Sequence, residues 1–415
     1  MCQTEKLHVM KYLQLTFVFF CLSLIILNPY TIYGKPGAVI AFILAGYGVM
    51  NGIKTKFLVH FLLPLSILML ISFVGVFSSL FNNIFQFNHL LAVISFSIVI
   101  FSAYGLWVYC YKSSISRDDV LKLVMYTVLM NSVVIVLELN FDSLRAVIES
   151  FLDPLIQTSI DYTTGYKFRG LASSGGAGLS ISVPVALTIA LYLFDRKLLT
   201  LPALILVISF VFFSVLVIGR TGLILSVIPL LSFLVFQVVR SKQRGRALFT
   251  GFVLVLVVIY LYQFTIEYFS DMFGDGFTRY AIGFLLEGEE GIKEEGTVTA
   301  ITEYLTVLPK HFPQILFGYG FYGGSEFFPW TDSGLSRMFL SVGFVFGLLF
   351  YIVLFRMYFL VFKGNEFLIG TLVLVLAASE LKEPLLYSGV ASRMFIFVLV
   401  FFWCDRYRLS KSDKV

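Results

Sequence analysis

The stretch "SVLVIGRTGLILSV", residues 214–227, is apolar throughout except for one arginine, Arg220. An unpaired guanidinium in hydrocarbon costs about 2.5–3.5 kcal/mol on insertion scales. Either that cost is met inside one long apolar segment, or the chain breaks at "IGRTG" and sets Arg220 at a watery face. The surrounding sequence favours the break, because apolar runs of nearly membrane-spanning length lie on both sides of it.

Those runs continue along the whole chain. Of 415 residues, 59% are hydrophobic and only 13% charged, against about 45–50% apolar and 25% charged in soluble domains. The mean hydropathy is +0.92. A water-soluble fold of this length could not cover that much apolar surface, so the composition specifies an all-α polytopic integral membrane protein. About twelve spans are expected, near 12–28, 37–53, 57–79, 90–110, 120–139, 176–194, 199–218, 222–239, 247–264, 334–360, 367–383 and 389–404, within a single membrane domain, 1–415. The first run ends in Asn28-Pro29 with no small-x-small site, and is expected to be a span and not a cleaved signal.

Basic residues set the expected orientation. With twelve spans, 19 of the 30 Lys and Arg fall on the side that holds both termini, and 11 on the other. Seven of those 11 sit in or beside long loops, where the positive-inside rule is weak. Both termini are therefore expected in the cytoplasm and Arg220 on the external face.

Two long external loops are expected, at 140–175 and 265–333. In the first, Leu144, Val147, Ile148, Phe151, Leu152, Leu155 and Ile156 recur with helical period, which predicts an amphipathic helix lying in the interface and bent at Pro154. The second contains "EGEEGIKEEG" (287–296), whose charge density reads as a solvated segment. The four cysteines, Cys2, Cys21, Cys110 and Cys404, lie at the N-terminus or within apolar runs and suggest neither disulfides nor a metal site. No Walker loop, dinucleotide fingerprint, HExxH or GxSxG motif occurs, and nothing indicates nucleic-acid binding. An ATP-driven pump would need its ATPase from a partner.

The external side is expected to carry arginines beside glycine-rich or span-edge sequence. Arg169 opens "FRGLASSGGAGLS", Arg220 stands in "IGRTG", Arg279 in "DGFTRYAIG", and Arg337 in "TDSGLSRMFLSVG". Arg393 follows "LYSGVAS". A guanidinium presents a planar donor fork that matches phosphate oxygens, and several converging forks would suit a pyrophosphate. Span-end arginines also snorkel to headgroups, the alternative for Arg393, and a loop salt bridge is the alternative for Arg279. Acid–base candidates are Glu303 in "TAITEYLTVLPKHF", Asp332 in "FPWTDSGLS" and His311, the single histidine of the second loop. Asp332 could instead cap the following helix, and Glu380 and Glu383 in "SELKEPLLYSG" could pair with Lys382.

The long loop before "ILFGYGFYGG…WTDSGLSRMFLSVGFVFGLLFYIVL", with "FRGLASSGGAG" and "GRTGLILSV" upstream, resembles the O-antigen polymerase (Wzy) and ligase superfamily over about 165–350. The resemblance implies a glycosyltransferase C-like fold in the bacterial inner membrane with a periplasmic active site and no cofactor or metal. It implies undecaprenyl-diphosphate-linked oligosaccharide as donor and acceptor, surrounding membrane lipids, and a chain-length regulator protein as a partner. Arg169, Arg220 and Arg337 match the arginine positions of the family, although Gly178 follows Arg169 two residues sooner than in the polymerase pattern. An O-antigen ligase is the alternative within the superfamily, but the "LPKHFPQ" context of His311 matches the ligase histidine loosely. A flippase or other membrane transporter is the alternative outside it, with Glu138 as the main charge inside a span.

Overall fold

The computed structural model describes residues 3–152, 168–173, 175–240, 307–322, 331–387 and 389–412, with isolated helical positions between 256 and 271. Among these, helices dominate and no extended strand forms. In chain order they are α1 (Gln3–Leu27), α2 (Pro36–Met50), α3 (Thr55–Phe81), α4 (Asn88–Lys112), α5 (Arg117–Asn140) and α6 (Asp142–Phe151). Then follow α7 (Ala177–Ser180), α8 (Ser182–Asp195), α9 (Leu201–Ile218), α10 (Arg220–Leu225) and α11 (Val227–Arg240). The last four are α12 (Phe312–Phe317), α13 (Gly334–Tyr358), α14 (Glu366–Glu380) and α15 (Gly389–Ser412).

Eight helical segments among the described residues are long and apolar enough to cross a membrane. The protein is a polytopic, all-helical membrane protein. The tally of twelve is not reached by that measure. Helices α2 and α14 have 15 residues each, about 22 Å at about 1.5 Å per residue, which is short of a hydrocarbon core of about 30 Å. Most of the expected span at 247–264 lies outside the described residues.

Local sequence explains the helix ends. The Ser116 hydroxyl accepts from Asp119 N at 3.1 Å, and Asp118 and Asp119 occupy the first turn of α5, where carboxylates meet the positive end of the helix dipole. Pro36 and Pro202 stand in the first turns of α2 and α9, where a missing N–H costs nothing. Helices α8 and α15 form the centre: Val183–Leu193 and Met394–Cys404 are buried without interruption. Around them α2 crosses α4 at Gly48 and Gly105, where an added Cβ on either would meet the other backbone. Small residues at such crossings let apolar helices approach closely. Cys21, Cys110 and Cys404 are buried and unpaired.

The helix ends gather into two sets. At one end Tyr407 Oη meets His60 Nε2 at 3.0 Å, Trp107 Nε1 donates to Asp405 at 3.0 Å, and Gln237 Nε2 donates to Asp195 at 2.6 Å. At the other, here the arginine end, lie the starts of α4, α8, α10, α13 and α15 and the finishes of α1, α3, α5, α9 and α14.

Two departures from the expected helix plan occur at the arginine end. Helix α6 covers the amphipathic stretch but stops at Phe151. Leu152 turns extended and bridges to Thr31, while Pro154, Leu155 and Ile156 lie outside the described residues. Helix α13 breaks at Gly343 (φ 81°, ψ 171°), a conformation open essentially to glycine alone. The freed carbonyls of Leu340 and Ser341 accept from Tyr319 N at 2.7 Å and Gly320 N at 3.0 Å. Helix α12 and the chain after it are thereby seated between α3 and α13, and Ser78 Oγ donates to Phe317 O at 2.6 Å. Irregular backbone among apolar helices is tolerated where protein partners satisfy it, as here.

Candidate functional site

The arginine end is organised around the glycine loop 175–180, "GGAGLS". Arg169 leads into it. Asn131 on α5 brackets the peptide groups beside it, donating to Arg169 O at 3.3 Å and accepting from Leu171 N at 2.8 Å. Gly170 between them has φ +58°, and an added Cβ would meet Asn131 Oδ1. The Arg169 side chain is fully buried, and its fork meets Glu149 of α6 through Nη2–Oε2 at 2.5 Å and Nε–Oε1 at 3.3 Å. Glu138, also buried, lies among the charges of Glu149, Arg145 and Arg169. Arg145 stacks on Phe168, 4.5 Å from its centroid.

Arg169 thus sets two nitrogens of its fork on a carboxylate inside the fold. The partner, Glu149, sits on the polar face of α6, where periodicity marked only a solvated position.

On one side of the glycine loop lies the start of α10. Gly219 N donates to Val215 O at 2.9 Å and closes α9, while the residue itself is extended (φ 168°, ψ 139°), so that Arg220 is the first residue of α10. A Cβ on Gly219 would contact Gly176 and Ser180 at 3.3–3.5 Å. Gly222 N donates to Ser180 Oγ at 3.0 Å. The break expected at "IGRTG" is present. The Arg220 side chain lies outside the described residues, but its backbone abuts the loop that Arg169 opens.

On the other side lies the α13–α14 corner. A Cβ on Gly178 would come within 3.6 Å of Glu383 Oε2. Arg337 donates from Nε to Thr331 O at 2.8 Å and pairs from Nη2 with Asp332 Oδ1 at 3.3 Å, both side chains remaining partly open. Asp332 does not cap α13. Ser333 does, accepting from Ser336 N at 3.3 Å, because Asp332 is turned to its arginine. Burial raises the Asp332 carboxyl above the usual aspartate range, and Arg337 and Lys382 oppose that shift. Burial also raises Glu383, and the neighbouring Asp332 adds to the effect, against the pull of Lys382 and Arg337.

Neither Glu380 nor Glu383 forms an ion pair with Lys382. The Glu380 carboxylate is buried behind Gly334 and accepts from Tyr351 Oη at 2.8 Å and Leu386 N at 2.8 Å. Nearby, the Tyr322 and Tyr387 hydroxyls bond one another, and His89 packs its ring 4.9 Å from that of Tyr322. Both His89 ring nitrogens are buried without partners among the described residues. Arg393 is held by the protein, donating to Ile26 O at 3.1 Å, one of the carbonyls that a helix end leaves unsatisfied.

Of the remaining expected residues, Glu303 and Arg279 lie outside the described residues. His311 is exposed at the start of α12, where its carbonyl accepts from Ile315 N at 2.8 Å and its side chain does not cap the helix. Among the described residues no group of three or more His, Cys, Asp or Glu is placed to hold a metal ion. The residues that sequence reasoning passed over are Asn131 and Tyr387, while Tyr322 drew attention only as an aromatic for stacking on sugars or lying in the interface. "SELKEPLLYSG" carried the signal for Glu380 and Glu383, but spacing could not tell which carboxylate is enclosed.

The fold and this end define a polytopic helical membrane protein with a charged, glycine-lined cluster at one end of its bundle. Compared with family models, with curated proteins and with solved structures, the chain matches none.

Proposed function

We propose that the protein is a polymerase of O-antigen or a related surface polysaccharide. It transfers a glycan chain from its polyprenyl-diphosphate carrier onto a new lipid-linked repeat unit. One observation carries the reading: the segments of Arg169 and Arg220, far apart in sequence, meet at one glycine loop, and Glu383, which lies by Gly178 of that loop, stands within the charge of the Asp332–Arg337 pair. In this reading the bundle has twelve spans in a glycosyltransferase C-like arrangement. Both termini are cytoplasmic, and the arginine end faces the periplasm of a bacterial inner membrane.

The chemistry requires an anomeric carbon to lose diphosphate as a sugar hydroxyl attacks from the opposite face, with inversion. Negative charge grows on the departing diphosphate, so fixed cationic donors stabilise the transition state more than the ground state. Arg220, whose backbone abuts the loop, and Arg337, beside the Glu383 corner, serve in this reading as direct donors. Arg169, enclosed with Glu149, holds the loop in shape from behind. Arginines in these roles make a metal ion unnecessary.

The test is elongation by purified protein of a defined polyprenyl-diphosphate-linked oligosaccharide, read by gel or mass analysis. Growth by single repeats without added metal or ATP, lost in Arg220→Ala, is the expected result. No growth of the cognate lipid-linked unit by folded protein overturns the reading. Transfer onto a lipid A core acceptor would then identify a ligase, and movement of the lipid-linked unit across vesicles a flippase.

A further inference from the structure

Three carboxylates stand at the α13–α14 corner, and their surroundings divide them. Asp332 is committed to Arg337 at 3.3 Å. Glu380 has both oxygens occupied, by Tyr351 Oη and Leu386 N at 2.8 Å each, and is closed off behind Gly334. Glu383 is half-buried, and its carboxylate makes no hydrogen bond or ion pair among the described residues. It faces the glycine loop at Gly178, a position where the absence of a side chain leaves the carboxylate approachable.

We propose that Glu383 is the catalytic proton acceptor of the transfer reaction, a role that rests on the polymerase reading. A base needs an oxygen open to the hydroxyl it deprotonates. Of the three, Glu383 alone has neither oxygen engaged by a donor among the described residues, whereas Asp332 Oδ1 meets Arg337 and both Glu380 oxygens accept hydrogen bonds. It must also lie across the reacting sugar from the leaving group in an inverting displacement. Glu383 lies by Gly178, whereas Gly219, which precedes Arg220 at the start of α10, lies by Gly176 and Ser180, so the two reach the loop at different residues.

In the step, the acceptor O–H bond breaks and its proton passes to a Glu383 oxygen. The hydroxyl oxygen forms the new bond to the anomeric carbon. The bond from that carbon to the diphosphate breaks, and its electron pair leaves on the diphosphate.

The charged groups facing Glu383 are Asp332 and Arg337 from the start of α13, Lys382 beside it in its own turn, and Glu380 at the end of α14. The described part of the glycine loop contributes none. Burial and the Asp332 charge hold the Glu383 carboxyl above its ordinary range, which brings a carboxylate base closer to working pH. The rate should therefore rise as pH increases and Glu383 ionises.

The test measures elongation by wild type, Glu383→Gln and Glu383→Asp at saturating substrate from about pH 5 to 9, with melting temperature as the folding control. Glu383→Gln is expected to lose about 100-fold or more in kcat, the usual size of a general-base contribution, with KM little changed and the rising acid limb abolished. Glu383→Asp is expected to keep that limb, displaced, at reduced rate. Should Glu383→Gln fail to fold, Glu383→Asp decides alone, and a wild-type rate and limb in it overturn the assignment. Near-normal elongation by a folded Glu383→Gln protein overturns it too, while leaving the polymerase reading intact. Inactivity of the wild type overturns the polymerase reading, and this assignment with it.

Discussion

Arg169 and Arg337 are the same residue type at the same end of the bundle, yet the fold uses them differently. The Arg169 side chain has no exposed surface and meets Glu149 through two nitrogens. Arg337 remains 19% exposed, held by one carbonyl and one carboxylate. A buried ion pair lacks the solvent that would compensate a lost partner, so its integrity is a matter of folding. A half-open pair exchanges partners at small cost, which leaves its guanidinium available to a ligand. In the proposed reading Arg169 shapes the glycine loop, and Arg337 serves the ligand.

Paired substitutions test that contrast most strongly. Arg169→Ala removes a fully buried guanidinium from the Glu149 carboxylate and should cost about 1.5–3 kcal/mol, the size of a lost charged hydrogen bond, seen as a fall in detergent melting temperature. Arg337→Ala should cost about 1 kcal/mol or less while lowering elongation at least about 100-fold. Equal melting temperatures for the two variants would erase the distinction. Next in size is Gly222→Ala, whose new Cβ would overlap the Ser180 carbonyl. A loss of about 1–3 kcal/mol is expected from such overpacking, and an unchanged melting curve would show that α10 does not lean on the loop. Gly170→Ala forces a side chain into φ +58° and should lose about 1–2 kcal/mol.

The smallest effect concerns pH. The Asp332 carboxyl is raised in the folded protein, so the folded state binds that proton more tightly than the unfolded state does. Its contribution to stability is greatest below the ordinary aspartate value of 3.8 and declines as pH rises above it through the raised folded value. Asp332→Asn should flatten that slope slightly in melting curves recorded across this range. A steeper slope in the variant would mean that Arg337, and not burial, dominates.

The membrane character was legible because it is additive. Apolar runs such as 214–218 and 223–227 declare themselves residue by residue, and a glycine beside Arg220 marks a break wherever the helices pack. Helix α6 was legible for a similar reason, since its stripe repeats within ten residues. The seating of α12 against the broken α13 was not. "FGYGFYGG" and the segment of Gly343 entered the sequence reading only through a resemblance, and only the bonds of Tyr319 N and Gly320 N to the carbonyls before it give Gly343 its role. The state of each charged side chain was equally hidden. Arg393 bonds to Ile26 O across 367 residues of sequence, a separation at which periodicity carries no information.

The amino-acid sequence alone determined that this chain is helical, lies in a membrane and places arginines beside glycines at the ends of apolar segments. These properties follow from local hydrophobicity, backbone freedom and the cost of charge in hydrocarbon. Tertiary structure alone decided which arginine is enclosed, which carboxylate caps, braces or stands open, and which loop they share. Those outcomes depend on desolvation and on partners brought from distant segments, and burial sets the value of a charge only once the helices have packed.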